Sequence, residues 1–155
     1  MKVKEIMTSP VICAPADASA VDVATLLAKH KISAVPVVDE GGAVIGLVSE
    51  YDLLARQGTS AREIMSPGIV SVNEEADVDD VRFLIVERRI RRVPVVAGHA
   101  LVGIVSRSDL VRQIAMQWCC DICGEPVRGE HPPDRCPKCL SPSTRFAQDQ
   151  PSPGV

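Results

Sequence analysis

Hydrophobic residues recur along most of the chain with two spacings, one typical of short strands and one typical of amphipathic helices. Residues 11–14 predict a short strand. Residues 20–29 then place Val23, Leu26 and Leu27 on one face of a helix. The pattern therefore opens with a strand that is followed by a helix.

Two β-branched runs follow this helix, at residues 35–38 and 44–48, and a glycine-containing turn separates them. Because β-branched residues favour strands, the two runs predict an antiparallel hairpin. Ser49 lies where the second run ends, and the spacing Ser49-x-x-Asp52 is typical of a capped helix start. A hydroxyl and a carboxylate are thus expected where a strand meets a helix.

The same order of elements occurs twice, because the sequence contains an internal duplication. Met7 corresponds to Met65, 58 positions later, and the Val-Pro-Val-Val run at 35–38 recurs at 93–96. Each unit leaves one sheet face apolar, so the two copies are expected to pack on each other. The sequence therefore predicts a mixed α/β (α+β) fold of tandem β-α-β-β-α repeats.

The composition changes near Gln117. Five of the six cysteines lie beyond it, together with many prolines and few aliphatic residues. So short a segment buries too little apolar surface to fold alone, so a metal ion is expected to stabilise it. The predicted organisation is one repeat at residues 1–57, a second at 58–117, a metal module at 118–148 and a disordered tail at 149–155.

Four cysteines form two identical pairs with twelve residues between them. Duplicated Cys-x2-Cys spacing is typical of a tetrahedral metal site, with disulfides or plain buried cysteines as the alternative. Four thiolates suit zinc or iron equally, and they leave no open position for hydrolytic catalysis. The predicted ligands are Cys120, Cys123, Cys136 and Cys139.

Charge and hydropathy exclude several classes of function. The net charge of −3 and the pI near 5.6 give no broad electrostatic reason to bind nucleic acid. No apolar run is long enough for a membrane span or a signal peptide, so a cytoplasmic protein is expected. No phosphate-binding loop or catalytic triad spacing occurs, so the sequence predicts a binding protein and not an enzyme.

The ordered motifs resemble a cystathionine-β-synthase (CBS) domain pair, also called a Bateman module, over roughly residues 1–114. The resemblance rests on Ile6-Met7-Thr8 with Ile64-Met65-Ser66, on the two Val-Pro-Val-Val strands, and on the Gly-h-Val-Ser-x-x-Asp sequences (h, aliphatic) that end at Asp52 and Asp109. It implies that AMP, ADP or ATP binds in clefts between the repeats, and that the chain forms a homodimer.

The resemblance also implies which residues contact the nucleotide, with Asp52 and Asp109 on the ribose. From spacing alone, helix caps are the favoured interpretation of the same serines and aspartates. The implied contacts are Thr8, Ile12, Ile32, Ser33, Ser49 and Asp52 in the first repeat, and Ser66, Val70, Ile90, Arg91, Arg92, Ser106, Ser108 and Asp109 in the second.

Basic residues distinguish the second repeat from the first. Residues 88–92 contain four arginines, whereas the first repeat has His30 and Lys31 at the equivalent place. In nucleotide-sensing CBS proteins, basic residues here contact phosphates, so Arg91 and Arg92 are the candidates and are predicted to act with Asp109. A solvated helix end is the alternative explanation for the arginines.

The cysteine segment resembles the rubredoxin-like knuckle module at the end of rubrerythrins, and also a generic zinc ribbon. Rubredoxin-like sequences usually have a glycine after each pair; here Gly124 follows the first pair but Leu140 follows the second, which predicts a less regular second turn. Cys119 adjoins a predicted ligand and could compete with Cys120 for the metal.

Together these features predict a regulatory adenine-nucleotide-binding protein that signals to an unidentified protein target. One alternative is a rubredoxin-like electron carrier gated by nucleotide. A nucleic-acid-binding zinc ribbon is the other, but the balanced charge and few aromatic residues of the cysteine segment argue against it.

Overall fold

The structure is a computed structural model that describes residues 1–149. It consists of two compact units, one from Lys2 to Ser106 and one comprising Met1 and residues 107–149. The predicted disordered tail lies outside the described residues, apart from Asp149, which ends a strand.

The first half of the Lys2–Ser106 unit forms a three-stranded sheet with helices. Strand β1 runs parallel to β2, and β2 pairs with β3 in the predicted antiparallel hairpin. The first helix begins where the Asp22 N–H donates to the Ser19 hydroxyl, and it ends at Lys31 in the left-handed conformation. The elements are β1 (Ala14–Pro15), α1 (Ala20–His30), β2 (Ala34–Val38), β3 (Val44–Ser49) and α2 (Glu50–Ala55).

The second half of this unit repeats the topology, which confirms the predicted duplication. Strand β4 is parallel to β5, β5 is antiparallel to β6, and both hairpins shift register at the equivalent valine pair. The short helix α3 was not apparent from the hydrophobic pattern. The elements are α3 (Ala61–Ile64), β4 (Val72–Asn73), α4 (Val78–Glu87), β5 (Arg92–Ala97) and β6 (Ala100–Ser106).

The central strands of both sheets supply the core. Val35 and Val37 of β2, and Val93 and Val95 of β5, are fully buried. Val23 of α1 packs on the first sheet, as its helical spacing predicts. Burying such branched side chains is the main favourable contribution to folding, at about 1.5–3 kcal/mol each.

The segment that enters each repeat pairs with the last strand of the other repeat. Thr8 exchanges backbone hydrogen bonds of 2.9 and 3.2 Å with Ile104 of β6. Ser66 exchanges bonds of 2.8 and 3.1 Å with Leu47 of β3. Residues near Ser66, which belong to the second repeat in sequence, are therefore built into the first sheet.

Glycines in the last strands permit this exchange. A Cβ on Gly46 would collide with Met65, and one on Gly103 would collide with Met7. The absence of a side chain at each position lets the entering segment approach the strand closely. Met7 and Met65 therefore occupy equivalent positions, each packed against a glycine of the last strand of the other repeat.

The other unit contains helix α5 and a small sheet in the order β8-β7-β9, in which both pairings are antiparallel. Its elements are α5 (Arg107–Ala115), β7 (Gln117–Cys120), β8 (Pro126–Arg128) and β9 (Phe146–Asp149). Over the described part of the chain, every helix is too short or too polar to cross a bilayer.

Candidate functional site

Ser49 and Asp52 form a capping box at the start of α2. The Ser49 N–H and hydroxyl donate to Asp52 Oδ2 at 2.9 and 3.0 Å, and the Asp52 N–H donates to Ser49 Oγ at 3.2 Å. The helix-cap interpretation of this pair is therefore correct. It does not exclude a second role, because the same two residues line a cavity.

The other carboxylate oxygen of Asp52 binds residues that follow α2. Ser66 Oγ donates to Oδ1 at 3.1 Å, and Arg56 Nε lies 3.2 Å from the same oxygen. Arg56 also donates to Ser66 Oγ and to the Met65 carbonyl, each at 3.4 Å. Asp52, only 4% exposed, thereby ties the entering segment of the second repeat to the first sheet.

A cavity with two lobes opens at this carboxylate. Both lobes are lined by Ser49, Asp52, Ser66, Arg91 and Arg92, and we name the whole cavity the Asp52 cleft. Their volumes, about 530 and 300 Å³, lie in the range of small-ligand sites. The larger, cationic lobe adds Ser33, Glu50, Tyr51 and Arg56, and the smaller, apolar lobe adds Ala34, Leu47, Pro67, Gly68, Ile69, Val70 and Ile90.

The two arginines differ in exposure. Arg91 is exposed, whereas Arg92 is half-buried and donates to the Ser33 hydroxyl. Burial lowers the pKa of Arg92, the charge of Arg91 lowers it further, and Glu50 opposes both effects. A guanidinium that has lost hydration in this way is stabilised when an anion approaches it.

The structure places Arg91 and Arg92, the two predicted phosphate ligands, in the Asp52 cleft. Asp109 lies in the other unit, so the predicted association of the arginines with Asp109 stays a prediction. Ser66, Val70 and Ile90 also join Asp52. Ser66 reaches this cleft because the entering segment of the second repeat bonds to Leu47 of β3, so the Asp52 cleft combines residues of both repeats.

The remaining predicted residues lie elsewhere. Ile12 and Ile32 pack against the core of the first sheet, and Thr8 bonds to β6. Ser106 ends β6, while Ser108 and Asp109 lie in α5 of the other unit. Within that unit Asp109 is 6% exposed and forms an ion pair with Arg112 at 3.4 Å.

Sequence reasoning missed Arg56, which lines the cationic lobe. Its position four residues after Asp52 is the spacing at which a carboxylate and a guanidinium meet on one helix face, and this spacing was the available signal.

The four predicted metal ligands converge in the other unit. All four sulfurs lie within 4.8 Å of one another, and the Cys120–Cys139 and Cys123–Cys136 pairs are each 3.6 Å apart. Sulfurs at the corners of a tetrahedron with a metal–sulfur distance of about 2.3 Å are about 3.8 Å apart. The cluster therefore fits a tetrahedral ion with little adjustment.

Both cysteine pairs are followed by the same turn. Gly124 has φ 74° and its N–H donates to the Cys120 carbonyl at 2.8 Å. Leu140 has φ 63° and its N–H donates to the Cys136 carbonyl at 3.0 Å. The second turn is thus as regular as the first, contrary to the expectation from the missing glycine.

Ser141 joins the two halves of the cluster. Its hydroxyl oxygen lies 3.1 Å from the sulfurs of both Cys120 and Cys139. This contact, with backbone donors, lowers the pKa of Cys120 to about 6 and also lowers that of Cys139. At Cys123 a hydrogen bond with the Glu125 backbone lowers the pKa of the thiol. Burial and the other three thiols outweigh this effect and raise the pKa to about 12.

Neighbouring candidates lie outside the cluster. Cys119 and Cys120 both pair in the β7–β9 ladder, and successive strand residues face opposite sides of a sheet. Cys120, and not Cys119, is in the cluster. His131 is exposed and is not part of the group.

Replacing Leu140 with glycine should stabilise the cysteine sheet by about 1 kcal/mol, because a left-handed backbone is strained for any residue with a Cβ. Leu140 is 67% exposed, so little packing is lost. Trp118 of β7 is the only tryptophan, so its fluorescence during thermal unfolding reports on this sheet. Gly124→Ala is the matched control and should destabilise; an unchanged midpoint for Leu140→Gly would show that the turn carries no strain.

Comparison with known proteins decides the family. The model of the family described as CBS domain matches residues 3–58 and 61–116. The chain belongs to the CBS domain family. Its tandem arrangement confirms the predicted CBS pair, whereas the resemblance of the cysteine segment to rubredoxin-like or zinc-ribbon modules stays a prediction.

Individual CBS relatives differ in length and in the names they carry. The L-aspartate semialdehyde sulfurtransferase of Methanocaldococcus jannaschii is 34% identical over 114 residues, which cover 71% of this chain but 22% of that enzyme. The chain thus spans about a fifth of that relative.

Two solved CBS structures contain ligands. CBSX2 in complex with AMP is 30% identical, with a TM-score of 0.68, and the match covers 72% of this chain and 93% of that one. The CBS domain pair of protein MJ0100, in complex with 5′-methylthioadenosine and S-adenosyl-L-methionine, is 33% identical, with a TM-score of 0.69 and coverage of 74% and 96%.

Proposed function

We propose that this chain is a regulatory protein, not an enzyme, that binds an adenine nucleotide in the Asp52 cleft. The observation that carries the proposal is the division of the cleft into an apolar and a cationic lobe that meet at a buried carboxylate. A nucleotide has the same order of parts, with a flat base, a ribose diol and a charged phosphate. A homodimer and an unidentified protein target belong to the same proposal.

Each part of a nucleotide has a suitable partner. Ile69, Val70 and Ile90 supply apolar surface for a base. A carboxylate accepts hydrogen bonds from both ribose hydroxyls, which suits Asp52. Guanidinium groups bind phosphate oxygens through several donors, which suits Arg91 and Arg92.

The charge of the cationic lobe favours a phosphorylated ligand. Arg56, Arg91 and Arg92 face the carboxylates of Glu50 and Asp52 across this lobe, an excess of one positive charge. S-adenosylmethionine carries a positive sulfonium and no phosphate, so the arginines select against it. The complex of CBSX2 with AMP supports a phosphorylated ligand. MJ0100 binds ligands without phosphate, so S-adenosylmethionine is included among the ligands to be tested.

The four cysteines are proposed to hold one zinc or iron ion. Zinc would give the sheet a structural or docking role, and iron would supply a one-electron centre. The second function, a nucleotide-gated electron carrier, is favoured by the exposure of Cys139, which brings one ligand to the protein surface.

Asp52→Asn should weaken nucleotide binding about tenfold or more, because hydrogen bonds to a charged acceptor contribute about 1.5–3 kcal/mol each. Isothermal titration of AMP, ADP, ATP and S-adenosylmethionine against the wild type and the variant measures this. Asp109→Asn is the matched control and should retain the binding that depends on Arg91 and Arg92. If nucleotide binding were lost in Asp109→Asn but kept in Asp52→Asn, the nucleotide would bind at Asp109 and not in the Asp52 cleft, which would contradict the proposal.

A further inference from the structure

The Asp52 carboxylate has no acceptor position left in this structure. An ionised carboxylate offers about four lone-pair sites on its two oxygens. Oδ2 accepts two hydrogen bonds from Ser49, and Oδ1 binds Ser66 Oγ and Arg56 Nε. A ribose hydroxyl can therefore bind this carboxylate only if one of these donors leaves.

Arg56 is the donor that can leave most easily. The Ser49 N–H belongs to the capping box of α2, and the Ser49 hydroxyl is held beside Asp52 because its oxygen accepts the Asp52 N–H. Ser66 is held in place by its backbone bonds to Leu47. The Arg56 side chain, in contrast, is 45% exposed, and its contacts to Ser66 Oγ and the Met65 carbonyl are both long, at 3.4 Å.

A second anion would be available to Arg56 in the same cavity. Arg56 lines the cationic lobe together with Arg91 and Arg92, the proposed phosphate ligands. We infer that Arg56 exchanges its partner when ligand binds, leaving Asp52 to the ribose and pairing with a phosphate. This inference rests on the proposed function and adds a selectivity device to it.

The exchange makes binding depend on the phosphate in a specific way. A nucleoside without phosphate displaces Arg56 from a buried carboxylate and offers it no anion, so the pair that is lost weakens nucleoside binding. A nucleotide replaces that pair with a phosphate pair. Arg56 therefore acts against nucleosides, and its removal should raise nucleoside affinity and lower the preference for nucleotide over nucleoside.

The test is isothermal titration of adenosine and ADP into wild type, Arg56→Met and Arg56→Lys. In Arg56→Met, adenosine should bind several-fold more tightly, because no ion pair has to be broken. The ADP affinity should change less, because the lost phosphate pair offsets that gain. The preference for ADP over adenosine should therefore fall about tenfold, which is the contribution of one charge-assisted hydrogen bond. Arg56→Lys keeps the charge and should recover part of this preference. Arg82→Met is the control, because it removes one arginine and one helix ion pair, with Asp79, outside the cleft.

The outcomes separate this inference from the proposed function. If adenosine and ADP both weaken in Arg56→Met, Arg56 only supports the shape of the cleft and the exchange is wrong. If neither affinity changes, Arg56 does not compete for Asp52, and the inference also fails while nucleotide binding stands. If the wild type binds ADP with an affinity that Asp52→Asn leaves unchanged, the proposed site itself is wrong and the inference falls with it.

Discussion

Replacing Cys136 with serine should abolish metal binding and unfold the cysteine sheet. Cys136 is fully buried in the cluster, and the sheet has strands of only four, three and four residues. So little apolar surface cannot hold this segment, whereas structural zinc contributes about 10–16 kcal/mol to small zinc domains. The Trp118 fluorescence should shift to that of a solvated indole, and elemental analysis should give less than one ion per chain.

The matched control for this experiment is Cys119→Ser. Cys119 is one residue from a ligand but outside the cluster, so this variant should keep one ion per chain and a folded Trp118 environment. A chelator added to the wild type should reproduce the effect of Cys136→Ser. A native fluorescence spectrum in the metal-free protein would show that hydrogen bonds and packing hold the sheet without an ion.

The identity of the ion in this experiment also distinguishes the two proposed roles of the cysteine cluster, a structural or docking element and an electron-transfer centre. Zinc in a colourless protein would leave a structural or docking element. Iron with the visible absorption of a ferric thiolate centre would make electron transfer the role to pursue, with reduction potentials measured in the presence and absence of nucleotide.

The secondary structure could be predicted where the signal is local. The helix expected at residues 20–29 is observed as Ala20–His30, because its apolar spacing and its Ser19 cap lie within the helix itself. The first strand is shorter than expected, at Ala14–Pro15. Its length is set by parallel pairing with β2, a contact between residues far apart in sequence.

The proposed nucleotide site could be predicted only in part, for the same reason. The Ser49–Asp52 pair was visible as a local motif. The contact of Asp52 with Ser66 was not, because Ser66 reaches it through an exchange of segments between repeats that leaves no trace in the spacing within either repeat.

The cysteine cluster, in contrast, could be predicted from local sequence, whereas one of its turns could not. Its ligands follow from the spacing of the pairs, because each pair forms one turn. The left-handed conformation of Leu140 could not be predicted, because residue preference assigns that conformation to glycine. In the turn after Cys139, the Leu140 N–H donates to the Cys136 carbonyl, and this bond accompanies the convergence of the four sulfurs.

Arg92→Met should weaken AMP binding about 10- to 100-fold and leave adenosine binding nearly unchanged. Arg92 is half-buried, and burial has already lowered its pKa, so little hydration remains to be lost when a phosphate approaches. Removing one hydrogen-bonded charge partner in such a setting has an effect of about 1.5–3 kcal/mol. Titration of AMP and adenosine against the same variant separates the phosphate contact from contacts to the base and ribose.

Arg91→Met is the internal comparison, because the two arginines are adjacent but differ in exposure. The Arg91 side chain is exposed, so water and salt screen its charge, and its removal should weaken AMP binding less than the removal of Arg92. The remaining AMP affinity of Arg92→Met should then fall more steeply with added salt than that of Arg91→Met. Equal losses of AMP and adenosine in Arg92→Met would mean that Arg92 holds the cleft together through Ser33 and does not bind the phosphate, because only a phosphate contact distinguishes the two ligands.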